Sequence, residues 1–346
     1  MGGLELFVHN CFTNFKKDGV CKIAVAPDKK LDAYFEDNDK FLLKRDKFFP
    51  FIPALKLAKY IDAHNIDVLH FHWTRDIAFV VMASIFCKRD VKVVQSRHMT
   101  MTRFKDDFYH KWLYKHIDAI HAVTYQVKEQ LQRFIPSDIR PDIEVVYPGI
   151  DEVKVDAKKV DALKSKYKKD GSFIVGIVGR IEEAKGQYIV IEALHKLKHL
   201  NIKLLIVGHS MDEAYLKELH KKVDALNLND KVVFVGFSKD VDEYMSLCDC
   251  MVLATTKETF GLVVIEAMAN KSSIIATNSG GPLEIIEDGV DGLFFDRSSD
   301  DLALKIEMLY KDEKLKNSLA DAGYKKVKNS FDNKKQMQKL LEFLNK

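Results

Sequence analysis

The chain has 346 residues, 47% of them hydrophobic, which is enough for two ordinary globular domains. Its 54 lysines and arginines nearly balance 51 aspartates and glutamates, so the net charge of +3 argues against a dedicated nucleic-acid binder. Five cysteines without a CxxC pair indicate neither a disulfide framework nor a zinc site. No run approaches the ~20 apolar residues of a membrane span, and the first residues do not form a signal peptide, so we expect a cytoplasmic protein.

The first half of the chain alternates short apolar runs with helical periodicity. Its opening residues predict a helix entered directly from Gly2 and Gly3. A Rossmann-type unit normally starts with a strand, so the first strand of this unit is expected to be missing. The predicted strands are Lys22–Ala26, Val68–His72, Lys92–Ser96, Ala119–Thr124 and Ile143–Val146. The predicted helices are Ala54–His64, Ile77–Phe86 and Asp107–His116.

The second half alternates more regularly. Its predicted strands are Phe173–Gly179, Lys203–Gly208, Lys231–Gly236, Met251–Thr255 and Ser273–Thr277. Its predicted helices are Gln187–Leu200, Glu213–Leu226 and a last one over Asn333–Leu344. Continuous apolar strands that alternate with helices are typical of a parallel sheet covered on both faces, which predicts an α/β, Rossmann-like class. The turn residues Tyr147–Asp151 indicate a linker between a first domain, 1–149, and a second domain, 150–330. The last helix, 331–346, has no strand after it, and one interpretation is that it packs on the first domain.

Two glutamates follow one of the predicted buried strands. Glu258 precedes a helix predicted to begin near Gly261, and Glu266 lies within that helix. At 1.5 Å per residue their carboxylates lie about 10 Å apart, a distance that suits the two ends of an elongated ligand. Free N–H groups at the helix start predict an anion site for a diphosphate between them. The alternative is a loop acid and a solvated helix position.

Two cations follow the strand that ends at Gly179. Ligands of parallel sheets bind beyond the carboxyl ends of the strands, so Arg180 and Lys185 are expected to project toward a ligand. Paired cations neutralise the charge that develops on a departing nucleoside diphosphate, and they can replace Mg²⁺ in that role. The alternative is that both are solvated surface cations, as most arginines and lysines are.

These residues, together with Gly280-Gly281-Pro282-Leu283-Glu284 and Asp288–Gly292, resemble the donor domain of the family 4 retaining glycosyltransferases. The resemblance runs from about Val146 to Asp296, with several motifs in the family's order and approximate spacing. It implies the GT-B architecture, in which two Rossmann-like domains with parallel sheets face a central cleft. A nucleotide sugar is the co-substrate in such enzymes, and no further cofactor is expected.

The resemblance also assigns roles to positions in this chain. It implies that Arg180 and Lys185 bind the donor diphosphate, that Glu258 contacts the donor sugar, and that Glu266 accepts hydrogen bonds from the ribose hydroxyls. It places Arg180, Lys185 and Glu258 among the catalytic residues. The other implied donor-binding positions, most of them glycines or backbone contacts, are Gly3, Gly179, Gly236, Thr259, Phe260, Gly261 and Leu262.

In the first half the resemblance rests on strand-end histidines. His98, in Gln95-Ser96-Arg97-His98, is expected to be the active-site histidine near the reacting sugar. The acceptor-side candidates are His72, Arg97 and Arg103, with Arg97 at a place that is often small or polar in the family. His70 and His72 share a strand face, but no third metal ligand is evident from the sequence.

Two further patterns bear on metal and membrane binding. Asp-x-Asp pairs occur at Asp37/Asp39 and Asp240/Asp242, and helix capping explains the second pair, so no catalytic metal is predicted. The segment Lys40–Phe51 interleaves cations with large apolar side chains. That pattern suits contact with an anionic membrane at its inner face, and it also suits a strand or loop packed on the first domain.

The function that the resemblance implies is retaining transfer of a hexose-type sugar, with a UDP-sugar as the first choice of donor. The acceptor is then a saccharide or glycolipid of surface polysaccharide or glycolipid synthesis, and the reaction needs no metal. The alternatives are a catalytically silent subunit that binds a sugar nucleotide, and a nucleotide-sugar epimerase or sugar phosphorylase on the same plan.

Overall fold

A computed structural model describes residues 3–19, 21–27, 31–44 and 50–346. Gly2 and residues 45–49 of the Lys40–Phe51 segment lie outside the described residues. The chain divides into two compact units, the first made of Met1–Gly149 with Asn333–Lys346 and the second of Ile150–Asp332. Within the described residues, none of the helices is both long and apolar enough to span a bilayer.

The first unit alternates strands and helices. In chain order its elements are α1 (Gly3–Phe15), β1 (Ile23–Val25), β2 (Lys40–Leu42), α2 (Phe51–Ala63), β3 (Val68–Phe71), α3 (Ile77–Phe86), β4 (Lys92–Arg97), α4 (Phe108–Tyr114), β5 (Ala119–Ala122), α5 (Tyr125–Phe134) and β6 (Asp142–Val145). Among the residues of this unit that the structure describes, every strand pair is parallel, and the strands form two sheets, a two-stranded one (β1-β2) and a four-stranded one (β3-β4-β5-β6). The described residues open on α1, as the apolar spacing predicts.

The second unit is a single parallel sheet with helices. Its elements are α6 (Ala157–Tyr167), β7 (Phe173–Val178), α7 (Gln187–Lys196), β8 (Ile202–Val207), α8 (Glu213–Ala225), β9 (Val232–Gly236), α9 (Val241–Leu247), β10 (Cys250–Leu253), α10 (Leu262–Ala269), β11 (Ser273–Thr277), α11 (Pro282–Ile285), β12 (Leu293–Phe295), α12 (Ser299–Lys311) and α13 (Glu313–Ser330). The six strands are ordered β12-β11-β10-β7-β8-β9. The sheet order changes direction between β7 and β10, the kind of point where α/β sheets bind ligands.

Burial explains why the strands of the second unit are apolar along their whole length. Ile174, Leu204, Val252 and Ile275, one from each of the four central strands, are fully buried. Helices cover both faces of such a sheet, so neither side chain of an adjacent pair reaches water. This pattern confirms the predicted α/β class with parallel sheets.

The last helix, α14 (Asn333–Asn345), belongs to the first unit. Its Met337 and Leu340 are buried in one cluster with Phe7 of α1 and Val94 of β4. Lys92 donates from Nζ to the carbonyl oxygens at the end of α14, at 3.2 and 3.1 Å. Cations are favourable at a helix C-terminus, so this contact stabilises the packing of the end of α14 on the sheet.

Candidate functional site

Three glycines form the carboxyl edge of the strands β7, β8 and β9. Gly179 N donates to Val207 O at 3.0 Å, and Gly208 N donates to Gly236 O at 2.9 Å. A Cβ on Gly208, whose φ is +152°, would lie 1.8 Å from Gly179 O. The edge is therefore made of main chain that a ligand can approach closely. Gly179 and Gly236 were predicted donor positions, whereas Gly208 ended a predicted strand without a role.

The structure brings Lys185 and Glu258 together. Lys185 Nζ lies 3.2 Å from Glu258 Oε2, and about a quarter of each side chain is exposed. The segment that carries Lys185 and the segment that carries Glu258 are joined by a hydrogen bond in which Thr256 N donates to Ala184 O at 2.9 Å. Such a half-buried pair presents both a cation and a carboxylate to a ligand, and a diphosphate would compete for the lysine.

Arg180 lies after β7 and contacts a different acid. Its Nη2 is 3.0 Å from Glu182 Oε1, and 59% of its side chain is exposed. An exposed ion pair contributes little to stability, so the arginine can leave Glu182 for a ligand phosphate at low cost. Its role in diphosphate binding stays a prediction.

Helix α10 begins directly after the loop that carries Glu258. Gly261 occupies the N-cap position with a φ of +102°, and because glycine has no side chain it offers no side-chain cap to the first N–H groups of the helix. Thr259 is half-buried, while Phe260 is buried against the ring of Phe331, with the ring centroids 5.9 Å apart. The start of α10 therefore keeps the backbone donors that an anion needs.

The glycine pair Gly280-Gly281 shapes the same loop. Gly281 N donates to Glu258 O at 2.9 Å. A Cβ on Gly281 would lie 2.3 Å from both Cα and O of Phe260, and one on Gly280 would lie 2.3 Å from Glu258 O. Only glycine allows the two backbones to pack this closely, which gives the motif a structural role that its sequence did not reveal.

Gly281→Ala is expected to displace the loop of Glu258 and to lower donor affinity. Overpacking of this kind costs about 1–3 kcal/mol, so the melting temperature should also fall. Titration with a nucleotide sugar and thermal unfolding measure the two effects. Gly19→Ala is the control, because a Cβ at Gly19 meets no atom within 4 Å. Unchanged donor affinity in Gly281→Ala would show that the close packing does not position Glu258.

Glu266 lies on α10, one helical turn before Asn270. Burial, with a further contribution from the Asp242 carboxylate, raises the pKa of Glu266 to about 7. Asn270 Nδ2 donates to Asp242 Oδ1 at 2.8 Å and so fixes the acid that faces Glu266. This half-buried carboxyl group can accept hydrogen bonds from hydroxyl groups of a ligand, and such bonds favour its charged form.

Three of the four aspartates in the Asp-x-Asp pairs contact lysines. Asp240 does occupy the N-cap position of α9, but its side chain makes no capping hydrogen bond and instead lies 2.6 Å from Lys159 Nζ. The capping prediction is therefore right about the position of Asp240 and wrong about its hydrogen bond. Asp37 lies 2.9 Å from Lys40, and Asp39 pairs with Lys16. Among the described residues no three potential ligands form a metal site, and metal independence stays a prediction.

Four histidines of the first unit lie together at the ends of β3, β4 and β5, with His121 buried and His70, His72 and His98 half-buried. His121 Nε2 is 2.8 Å from Val146 O, and its Nδ1 is 2.7 Å from Ser96 Oγ. Ser96 Oγ is in turn 2.7 Å from His70 Nε2. Because a carbonyl only accepts, His121 carries its proton on Nε2, so Ser96 donates to His121 and His70 donates to Ser96.

His98 contacts His72 at one side of this group, with 3.2 Å between His98 Nε2 and His72 Nδ1. Burial lowers the pKa of His98 and of His70 to about 3, and that of His121 to about 4. The pKa of His72 also lies well below its usual value. At neutral pH these imidazoles are uncharged, so His98 can act as a hydrogen-bonding group and not as a cation. His121 was not among the predicted site residues, although its place at a strand end resembles that of His70.

Ser96→Ala is expected to destabilise the protein by about 1–3 kcal/mol, because it leaves His70 and His121 without their shared partner. Chemical denaturation measures the loss, and Ser165→Ala, at an exposed hydroxyl bonded to Asp161 O, is the control. Folding lowers the pKa values of these histidines from 6.5 to about 3–4. Their contribution to the free energy of unfolding is therefore present above pH 6.5 and is lost as the pH falls toward the lowered pKa values. Equal stability of Ser96→Ala and wild type at pH 7 would contradict this role.

Of the acceptor-side candidates, Arg97 is buried and holds a loop. Its Nε donates to Met99 O at 2.8 Å, its Nη2 donates to Thr100 O at 3.0 Å, and its Nη1 donates to Thr74 Oγ1 at 2.5 Å. These contacts give Arg97 a structural role in addition to the predicted one. Arg103 is exposed in the segment before α4. Acceptor contacts of His72, Arg97 and Arg103 stay predictions.

Comparison with known proteins connects these features to a family. Residues 1–154 match the sequence family described as Glycosyltransferase Family 4, and residues 159–326 match the one described as Glycosyl transferases group 1. Together the two matches extend over nearly the whole chain.

Similar proteins include the N-acetyl-alpha-D-glucosaminyl L-malate synthase of Bacillus anthracis, which is 27% identical over 82% of this chain and 75% of its own length. The human alpha-1,3/1,6-mannosyltransferase ALG2 is 30% identical over 61% of this chain and 53% of its own length. The chain thus spans three quarters of one of these relatives and about half of the other.

Solved structures share the fold. A glycosyltransferase from Rickettsia africae has a TM-score of 0.89 at 23% identity and covers 99% of this chain and 94% of its own. HepE from Anabaena, solved with UDP and glucose, has a TM-score of 0.84 at 22% identity and covers 99% and 96%. The chain therefore belongs to the family 4, group 1 glycosyltransferases, and its fold is the GT-B fold of that family.

Proposed function

We propose that this protein is a retaining glycosyltransferase that moves a hexose-type sugar from a UDP-sugar to a saccharide or glycolipid acceptor, without a catalytic metal. The observation that carries the proposal is the Lys185–Glu258 pair at the carboxyl edge of the second unit's sheet. In this pair a cation of the kind that binds phosphate lies beside a carboxylate that can accept hydrogen bonds from hydroxyl groups, which supports the proposal.

In this proposal, different residues of the second unit bind different parts of the donor. Arg180, Lys185 and the N–H groups at the start of α10 would stabilise the charge that develops on the leaving diphosphate. Glu258 would hold the sugar hydroxyls, and Glu266 the ribose hydroxyls. The main chain at Gly179, Gly208 and Gly236 allows the nucleotide to approach the sheet edge closely.

The proposed course of the reaction is front-face substitution. The bond between the anomeric carbon and the leaving phosphate oxygen breaks first, through an oxocarbenium-like state. The acceptor oxygen then bonds to the same face, and its proton passes to the leaving phosphate. In this course Glu258 binds the sugar and does not form a covalent intermediate, and the uncharged His98 hydrogen-bonds near the reacting sugar.

The choice of UDP-sugar and of acceptor draws on the similar proteins. HepE was solved with UDP and glucose, and another relative is a capsular polysaccharide biosynthesis glycosyltransferase, CapM of Staphylococcus aureus. The names of two relatives specify alpha-linked amino sugars, which accords with a retaining reaction on a sugar nucleotide.

Membrane contact through Lys40–Phe51 is part of the proposal. In the described part of this segment, Phe51 begins α2 and has 58% of its surface exposed, and the adjacent Ile52 has 62% exposed. Lys40–Leu42 forms β2, so this portion is a strand of the first unit, as the alternative interpretation predicts. Apolar side chains at a helix start beside lysines suit an anionic bilayer surface at the inner face of the membrane.

The test is a binding and transfer screen with UDP-, GDP- and ADP-sugars, in EDTA and in Mg²⁺, on the wild type and Glu266→Ala. We expect one UDP-sugar to raise the melting temperature equally in both buffers, and Glu266→Ala to lose that shift. Nuclear magnetic resonance of the product would then show the donor's anomeric configuration kept. An inverted product, or a requirement for Mg²⁺, would overturn the corresponding part of the proposal. Donor binding without transfer to any saccharide acceptor would favour the silent, nucleotide-binding subunit.

A further inference from the structure

Gln187, the first residue of α7, is a polar side chain that lies almost completely inside the second unit, with 1% of its surface exposed. Its Nε2 donates to Arg180 O at 2.9 Å. A carbonyl oxygen only accepts hydrogen bonds, so the amide nitrogen faces Arg180 and the amide oxygen faces away. That oxygen, Oε1, is buried and has no hydrogen-bond partner within the part of the chain that the structure describes. A buried acceptor without a partner destabilises a fold, so packing alone does not explain this side chain.

The Gln187 amide does not serve the helix that it begins. The first N–H groups of a helix need acceptors, and a side-chain oxygen at the helix start usually supplies one. In α7 the preceding residue, Gly186, occupies the N-cap position and makes no side-chain cap. Gln187 offers its nitrogen to Arg180, and its oxygen bonds to none of the described N–H groups. The hydrogen bond therefore serves the loop before α7.

This hydrogen bond closes the loop of residues 180–187, which carries both predicted diphosphate-binding cations and which we call the cation loop. Arg180, its first residue, lies just after the carboxyl end of β7, and Lys185 lies two residues before Gln187. The bond joins the first and the last residue of the cation loop. It therefore restricts the conformations of the whole segment.

The two ends of the cation loop are held in different ways. At the Lys185 end, Gly186 has a φ of +73°, and a Cβ on it would lie 2.4 Å from Ala254 O, so main chain packs directly on main chain. At the Arg180 end, the carbonyl oxygen of Arg180 is held by the side chain of Gln187. Loss of the Gln187 amide should therefore release Arg180 and leave Lys185 in its position.

We propose that Gln187 is a positioning residue of the donor site, which fixes the main chain of Arg180 so that both cations of the cation loop reach the donor diphosphate together. This inference rests on the proposed function, because it takes Arg180 and Lys185 as the diphosphate-binding residues. Gln187 itself is too deeply buried to contact the donor, so it acts through Arg180.

Preorganisation of the main chain matters because each cation has to leave an acid. Arg180 Nη2 lies 3.0 Å from Glu182 Oε1. Lys185 Nζ lies 3.2 Å from Glu258 Oε2. A diphosphate that draws both cations from these acids has to order two long side chains, and a fixed main chain leaves only the side chains to be ordered. Without the Gln187 bond, the segment at Arg180 must be ordered as well, and the affinity for the diphosphate falls.

The test measures UDP binding by the full chain with Gln187→Met, in which a side chain of similar length has neither the amide donor nor the unpartnered oxygen. We expect UDP affinity in calorimetric titration to fall about tenfold, the effect of losing roughly one hydrogen bond. The melting temperature should change by less than about 2 °C, because removal of the unpartnered oxygen offsets the lost hydrogen bond.

Asn201→Leu is the matched control. Asn201 Nδ2 donates to Asp170 O at 3.1 Å, so this variant also removes a hydrogen bond from a side-chain amide to a main-chain carbonyl of the second unit. Asn201 lies just before β8, at the amino end of the strand and away from the cation loop. Its UDP affinity should equal that of wild type.

Two double variants show whether Gln187 acts through Arg180. In an Arg180→Ala background, Gln187→Met should lower UDP affinity by less than about twofold, because the side chain that it positions is gone. In a Lys185→Ala background, Gln187→Met should keep its full effect. The same tenfold loss in both backgrounds would overturn the positioning role.

Lys185→Ala tests the donor site separately from Gln187. If Lys185→Ala loses UDP affinity and Gln187→Met binds UDP as tightly as wild type, the positioning proposal is wrong and the donor site stands. If wild type binds none of UDP, GDP and ADP, the proposed function and the positioning role are both wrong.

Discussion

Replacement of Lys185 by alanine is expected to lower kcat/KM for sugar transfer by about 10²–10³-fold, the loss typical of removing one preorganised group that stabilises developing charge. Lys185 Nζ lies 3.2 Å from Glu258 Oε2, so the substitution also leaves a half-buried carboxylate without its cation. Both effects act at the proposed position of the leaving diphosphate. Steady-state kinetics with a UDP-sugar and titration with UDP measure them separately.

Two further variants separate charge from position. Lys185→Arg keeps the charge and should recover part of the activity, because a guanidinium also binds phosphate. Lys159→Ala removes an exposed lysine of the same unit that pairs with Asp240, and its activity should equal that of wild type. If Lys185→Ala retained full kcat/KM while UDP affinity also stayed unchanged, Lys185 would have no part in the donor site.

Replacement of Glu266 by glutamine is expected to remove the pH dependence of donor binding. With a pKa of about 7, Glu266 of the wild type changes from mostly protonated to mostly charged between pH 6 and 8. The charged form is the better acceptor for ribose hydroxyls, so UDP-sugar affinity should rise about tenfold over that range. A nucleotide sugar is the right probe, because its diphosphate does not titrate there. Calorimetric titration at three pH values gives the comparison.

Stability follows the opposite trend. The pKa of Glu266 is raised on folding from 4.5 to about 7, so the group's stability contribution is present below pH 4.5 and lost as the pH rises through 7. Glu266→Gln should therefore gain stability relative to wild type from pH 5 to pH 8.

A variant at Asp242 tests the cause of the raised pKa. In Asp242→Asn the nearby negative charge is gone, so the midpoint of the curve of UDP-sugar affinity against pH should move to lower pH. A midpoint unchanged in Asp242→Asn would show that Asp242 does not act on Glu266.

Much of the fold follows from local patterns, because burial on both faces leaves a continuous apolar run that periodicity detects. The runs at Phe173–Val178 and Ser273–Thr277 are strands close to or at their predicted bounds. The short strand β12, of three residues, escaped prediction, and β2, also of three residues, was predicted only as one alternative for Lys40–Phe51. Lys40–Leu42 combines a lysine with half-exposed apolar groups, and only its pairing with β1 reveals it as a strand.

The candidate site was harder to predict from the sequence than the fold, because its contacts join segments that are far apart along the chain. Motif order indicated Lys185 and Glu258 singly, but their ion pair depends on the hydrogen bond from Thr256 to Ala184. His121 carries no motif, and only the adjacent ends of β4 and β5 bring it to Ser96. The role of Gly281 was likewise hidden, because the atoms that exclude a Cβ belong to Phe260, in another loop.

The discontinuity of the first unit affects how the protein is made. Residues 1–149 leave the ribosome long before α14, whose Leu340 is part of their buried core. At ~5–20 residues per second, the delay between them is roughly 10–40 s. During that time Phe7 and Val94 lack a cover, while the contiguous second unit can already fold. Nascent first units are therefore exposed to chaperones and to aggregation until α14 has been synthesised, and truncation before α14 should release a chain that is prone to both.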